Sequence, residues 1–235
     1  MAQRADPKRI LVVGGGYVGM YTALGLQKKL RKGAATVTVV DPQPNMTYQP
    51  FLPEAAAGSV EPRHVVVPLR PALRRCRVLA GRVTAVDHAH RSATIENAAG
   101  HIEQLGYDVL VMAPGSIART LPIPGLAEQG ISFKTIGEAI YLRNHVLSRL
   151  DAADATFDQE LRRKLLTFVV IGGGYAGIEA LAELEDMARY ATRYYESITP
   201  GDLRWVLVEA TGRIMPEVSP RMGVYTAQRL LERGI

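Results

Sequence analysis

One eleven-residue pattern occurs twice in this chain and constrains its fold more than any other feature. Arg9-Ile-Leu-Val-Val-Gly-Gly-Gly-Tyr-Val-Gly returns 158 residues later as Thr167-Phe-Val-Val-Ile-Gly-Gly-Gly-Tyr-Ala-Gly. In each copy an aliphatic run of strand length meets glycines and then a helical spacing of apolar residues. These are Met20, Leu24, Leu26 and Leu30 in the first copy and Ile178, Leu181, Leu184 and Met187 in the second. Gly33 is placed to take a left-handed cap after the first helix. Ala35 to Val40 then reads as a second strand ending at Asp41, and Trp205 to Val208 as its counterpart ending at Glu209. Each copy is therefore a βαβ unit, and the chain reads as α/β with two Rossmann-like domains, their parallel sheets covered by helices on both faces.

The stretches between the repeats are read by their breakers. From Asp41 to about Pro71 the prolines at 42, 44, 50, 53, 62 and 68 predict long loops with short helical pieces, of the sort that line a site. Short runs at 77–79, 83–87, 93–97 and 101–105, separated by Gly81, the 88–91 segment and Gly100, predict a small antiparallel meander in the first domain. The apolar run 108–113 predicts a strand returning to the parallel sheet. Pro114 to Gly130 is a Pro/Gly-rich connection. The domains are accordingly drawn at 1–117 and 118–235, and a helix is expected from Ile136 to Leu150. Tyr194 and Tyr195 are expected on a helix, as packing residues. Pro220 opens an amphipathic helix carrying Met222, Tyr225, Leu230 and Leu231, and Gly234-Ile235 reads as its cap and the first residue of a further strand. A doubly wound sheet needs at least one more parallel strand, so the sequence reads as C-terminally truncated.

Gly14-x-Gly16-x-x-Gly19 and Gly172-x-Gly174-x-x-Gly177 place glycines where a strand turns into a helix. The first glycine makes the tight turn, the second lets a pyrophosphate approach the backbone, and the third lets helix pack on strand. Phosphates then meet the free N–H groups and positive end of the helix, beside Gly15, Tyr17, Val18 and Tyr175. Asp41 lies 22 residues beyond Gly19 and Glu209 lies 32 beyond Gly177, each placed to accept from ribose hydroxyls. An acid at Glu209 repels a 2′-phosphate, favouring NADH over NADPH. Glu179, expected in the first turn of the second helix, suits the dipole or positions a nicotinamide for hydride transfer.

Composition narrows the classes. The excess of 28 Lys and Arg over 23 Asp and Glu is only +5, and the basic residues sit in clusters at 28–32 and 70–77, which does not suggest nucleic acid. The first cluster suits a helix C-terminus; the second is open to acidic lipid or an acidic partner. Cys76 is the single cysteine, so an internal disulfide or a redox-active pair is excluded and reducing, cytoplasmic surroundings fit. No targeting peptide is legible at the N-terminus, and no run approaches the roughly 18 apolar residues of a membrane span. The histidines at 64, 88, 90, 101 and 145 have no metal-ligand spacing, and no metal is expected.

These features together resemble the two-dinucleotide flavoproteins of the FAD/NAD(P)-binding pyridine nucleotide-disulphide oxidoreductase superfamily, and within them the type II NADH dehydrogenases. The resemblance spans essentially the whole chain. Asp41 stands where the family carries its FAD-ribose acid, and Tyr48-Gln-Pro-Phe-Leu-Pro-Glu54 resembles its segment beside the flavin ring, placing Gln49 and Pro50 there. Val83 matches the position whose backbone meets the adenine. Ala113-Pro-Gly115-Ser116 resembles the Ala-Thr-Gly strand end near FAD, with Pro114 in place of threonine. Ile178-Glu179 resembles the family's hydrophobic-glutamate pair at the nicotinamide. The resemblance implies FAD and NAD(H) as cofactors, with FAD in the first domain and NAD(H) in the second. It implies NADH and quinone as partners, with a homodimer as one arrangement, and hydride transfer from NADH to FAD with electrons passed on to quinone. It also implies a location peripheral to the inner face of the cell membrane, attached through segments beyond Ile235. Ferredoxin-type reductases and an inactive nucleotide-binding fragment stand as alternatives.

Overall fold

The computed structural model describes residues 6–118 and 122–235. In chain order its elements begin with β1 (Lys8–Val13), α1 (Tyr17–Lys29), β2 (Ala35–Asp41), β3 (Asn45–Thr47), α2 (Leu52–Ala57), β4 (Val66–Pro68) and α3 (Leu69–Ala72). There follow β5 (Arg77–Asp87), β6 (Ser92–Asn97), β7 (Ile102–Gly106) and β8 (Val109–Met112). The remainder comprises α4 (Leu126–Gln129), α5 (Ile136–Asp154), α6 (Gln159–Leu165), β9 (Thr167–Ile171), α7 (Tyr175–Ala191), β10 (Arg204–Val208) and α8 (Pro220–Glu232). No helix among the described residues is long and apolar enough to cross a membrane.

The chain divides into two compact units, Met1–Tyr48 with Val66–Ile117, and Gln49–Val65 with Ala118–Ile235. A first domain unbroken to residue 117 is thus corrected: Gln49–Val65 groups with the second unit. The reason is apolar burial. Leu52 and Ala56 of α2 are sunk in a core with Ala139 and Val146 of α5 and Ile178, Leu181 and Leu184 of α7.

In the first unit a six-stranded sheet has the order β7-β6-β5-β2-β1-β8. β1 lies parallel to β2 and to β8, and β2 parallel to β5, while β5, β6 and β7 form the antiparallel meander. The all-apolar β1 serves both faces. Ile10 and Val12 pack with Met20 and Ala23 of α1 and with Leu69 and Leu73, whereas Leu11 and Val13 pack with Ala93, Ile95 and Tyr107. Gly81 does not separate two strands as expected but lies inside β5, where a Cβ would come within 2.8 Å of the Glu96 carbonyl; the close approach of β6 requires glycine there. β8 is more open than a central strand, with Val109 and Met112 about half exposed.

In the second unit β9 and β10 pair in parallel. Phe168 and Val170 point into the α5–α7 core, where Phe168 stacks on Trp205 at 4.5 Å between ring centroids, and Val169 and Ile171 face outward. Thr135 starts α5 with a capping box: its hydroxyl accepts from the Glu138 N–H, and the Glu138 carboxylate accepts from the Thr135 N–H. α6 is absent from the sequence reading, although Asp158 caps it by accepting from the N–H groups of Glu160 and Leu161. α7 stops at Ala191, so Tyr195 is not helical; its hydroxyl donates to Asp151 at 2.6 Å. Gly234 takes a left-handed conformation after α8, and Ile235 packs on the core.

Candidate functional site

Each glycine turn is held by the strand that follows its helix. In the first unit Gly14 has φ +99°, its N–H donates to the Val40 carbonyl, and a Cβ there would overlap the Ala113 carbonyl oxygen at 2.0 Å. Gly19, one helical turn in, sits so close beneath that its Cβ would lie 1.8 Å from the Gly14 carbonyl. Between them Gly16 begins α1, and a Cβ on it would meet nothing within 4 Å. No side chain caps that helix and no acid lies in its first turn, so its positive end favours an external anion. Tyr17 and Val18 are exposed at this end, with the Tyr17 and Tyr48 rings 6.2 Å apart.

The second turn repeats these relations. Gly172 has φ +109° and donates to the Val208 carbonyl, and a Cβ on Gly177 would lie 1.9 Å from the Gly172 carbonyl. Gly174 begins α7, which again lacks a side-chain cap and an acid in its first turn. Two differences separate the turns: a Cβ on Gly172, unlike one on Gly14, would meet nothing within 4 Å, and Glu217 crowds Gly174. The Glu217 carboxylate lies 3.0 Å from where a Gly174 Cβ would stand, whereas the space over Gly16 is clear.

The acids ending β2 and β10 have a part that their spacing did not disclose. Asp41 accepts from the Gly15 N–H at 2.6 Å and from the Gln43 N–H at 2.7 Å. Glu209 accepts from the Gly173 N–H at 2.6 Å and from the Thr211 N–H at 2.7 Å. Each carboxylate thus pins the middle glycine of its turn to the end of the next strand. The Thr211 and Gly173 N–H groups hold the Glu209 carboxyl below the usual carboxylate range. Gly173 is missing from the sequence-derived site, yet its bond duplicates that of Gly15; the repeat itself was the available signal.

Glu179 is the fifth residue of α7, not in its first turn, because the helix already begins at Tyr175 and takes Gly177 inside it. The dipole explanation for an acid there accordingly weakens. Its side chain lines a cleft of about 100 Å³ with Gln49, Pro53, Phe133 and Lys134, all within the second unit. Burial, and then the neighbouring Glu54 carboxylate, hold Glu179 above the usual carboxylate range, and Glu183 is raised by burial, Glu54 and Asp186. Glu54 keeps one buried carboxylate oxygen without a partner among the described residues. The fold therefore brings Gln49 to Glu179 across 130 residues of sequence. Pro50 follows Gln49 in a short 3₁₀ turn.

In the first unit, Val83 lies at an irregularity in β5 where the register shifts between Val83 and Ala85. Ala113 donates its N–H to the Val13 carbonyl beside Gly14, and Gly115 has φ +72°. Cys76 is half-buried, and burial pushes its thiol pKa up, away from a reactive thiolate.

The sequence model of the pyridine nucleotide-disulphide oxidoreductase family matches residues 8–235. The chain belongs to this family. Among curated relatives, the external alternative NADH-ubiquinone oxidoreductase of Yarrowia lipolytica mitochondria is 30% identical over 98% of the chain and 41% of its own length. The type II NADH:quinone oxidoreductase Ndh of Mycobacterium tuberculosis is 29% identical over 100% of the chain and 50% of its own length. The chain spans about half the length of the curated relatives it matches. Among solved structures, NDH2 of Plasmodium falciparum in complex with NADH superposes with a TM-score of 0.90 at 22% identity, over 97% of the chain and 47% of that protein. That likeness establishes the α/β fold of the chain, with two Rossmann-like βαβ units.

Proposed function

We propose that this chain supplies the FAD site and the NAD(H) site of a type II NADH:quinone oxidoreductase, FAD in the first unit and NAD(H) in the second. The observation that carries the reading is the duplicated lock of glycine turn and carboxylate, Gly15 to Asp41 and Gly173 to Glu209, each beside an uncapped helix end. The residues fit such ligands. The clear space over Gly16 admits a pyrophosphate beside Gly14, Tyr17, Val18 and Gly19, and the exposed Glu217 side chain is free to swing from Gly174.

Asp41 and Glu209 keep carboxylate lone pairs for ribose hydroxyls, and Glu209 disfavours a 2′-phosphate. In the first unit the backbone of Val83 and the Ala113–Gly115 strand end would hold the FAD. Gln49, which shares a cleft with Glu179, and Pro50 next to it in the chain would face the ring system, and Glu179 would orient the nicotinamide carboxamide. When bound, the flavin supplies the hydride and electron chemistry. This chain's part would be to bind and orient the dinucleotides. Relatives named as NADH-ubiquinone and NADH:quinone oxidoreductases support quinone as the acceptor.

Purified protein mixed with FAD should retain a flavin absorbance band after gel filtration, and NADH added without oxygen should bleach that band faster than NADPH does. Failure to retain FAD would sink the reading. For the acceptor, NADH-driven reduction of a soluble quinone should exceed reduction of a ferredoxin or a disulfide; the reverse order would transfer the chain to another branch of the family.

A further inference from the structure

One feature of the first unit has no part in the dinucleotide sites proposed above. Lys28, Lys29, Arg31 and Lys32 at the end of α1, and Arg70, Arg74, Arg75 and Arg77 around α3 and the start of β5, are all exposed. Their eight charges exceed the net +5 of the entire chain, because neither 17–34 nor 62–86 contains a single Asp or Glu.

The two segments are stapled into one face. Arg75 donates to the carbonyls of Gln27 and Leu30, and the Gln27 side chain donates to the Ala72 carbonyl and accepts from the Arg75 N–H. Leu69 and Leu73 are fully buried beneath, which turns Arg70 and Arg74 outward. Between the segments lies a concavity of about 550 Å³ lined by Gln27, Lys28, Pro71, Ala72, Arg74 and Arg75. None of the eight cations forms an ion pair among the described residues.

We infer that this face docks on the anionic headgroups of a phospholipid bilayer. A single-sign field with no acid to neutralise it selects a polyanionic partner. Single-stranded nucleic acid is disfavoured because 62–86 carries no Phe, Tyr or Trp on which bases stack. A folded acidic protein is disfavoured because neither 28–32 nor 62–86 offers the exposed aromatic, Leu, Ile or Met anchor of a specific interface. A headgroup layer needs only charge density, which four to eight clustered cations provide. The inference rests on the quinone-reductase reading for its choice of a membrane, but its test uses neither NADH nor quinone, so the two fail separately.

The test is co-sedimentation of the full chain with phosphatidylcholine vesicles, with and without phosphatidylglycerol. Binding should require phosphatidylglycerol and be released between about 0.1 and about 0.5 M salt. Each cation near an anionic surface contributes roughly fivefold in affinity, so the K28Q/R70Q/R74Q variant should bind on the order of a hundredfold more weakly. A control variant, K164Q/R193Q/R221Q, should bind like the parent, and the charge-keeping K28R/R70K/R74K variant should retain binding, separating charge from folding. Equal binding to both vesicle types, no binding to either, or parental binding by K28Q/R70Q/R74Q overturns the proposal. Tighter binding to duplex DNA or an acidic polypeptide at the same salt also overturns it.

Discussion

At the scale of single residues, the three glycines of a turn are not equivalent, and two substitutions separate their tasks. Gly19→Ala drives a methyl group into the Gly14 carbonyl at 1.8 Å, a contact between two backbone segments that neither can relieve. It should lower unfolding stability in urea by about 1–3 kcal/mol. Gly16→Ala meets no atom within 4 Å, and its backbone, at φ −69°, is open to any residue. Its urea midpoint should stay within about 0.5 kcal/mol of the parent while FAD retention is lost. Equal effects of the two on stability would remove the division of labour drawn here.

Asp108 offers a pH-dependent case. Its side chain accepts from the Arg9 guanidinium and from the Arg9 N–H, which hold its pKa at about 2 against the ordinary 3.8. A carboxyl depressed on folding contributes stability above its unfolded pKa and loses it as pH falls through the folded value. Asp108→Asn should therefore be less stable than the parent near neutrality, and the difference should close between about pH 4 and about pH 2. Urea unfolding at several pH values checks this; a difference constant with pH would contradict it. The partnership of Arg9 and Asp108 joins β1 to β8 across 99 positions of sequence, and no local signal announces it.

Elements were legible where one periodicity dominated. Both βαβ units, the parallel return of β8 and the meander follow from apolar runs bounded by glycine and proline. The misses have local causes. The Gly81 break was misread because a strand glycine also marks close strand contact. α6 was missed because seven residues carry too few apolar positions for a helical pattern, leaving only the Asp158 cap as a cue. α5 was found from its pattern, but its start depends on the Thr135–Glu138 capping box. Thr135→Ala should lower unfolding stability by about 1 kcal/mol, measured by urea titration of the second unit. A shift below the error of the midpoint would show that the α5 core alone sets that end.

For the whole molecule, the repeated motif determined by itself that two strand–turn–helix units form, and that each turn faces an uncapped helix end. These relations span a few dozen residues, and the steric demands of glycine and the period of the helix are written locally. What only the tertiary structure decided is assignment across distance. Gln49 and Pro50, read as part of the segment beside the flavin ring, lie in the unit that also holds Glu179, where Leu52 and Ala56 are buried with residues of α5 and α7. The partners of Asp41 and Glu209 were likewise hidden, since the spacing of an acid from a glycine states its distance along the chain and not which N–H it meets. The eight exposed cations were visible as two charge runs. That they share one face depends on Arg75 reaching the end of α1, and the packing of Leu69 and Leu73 decides that contact.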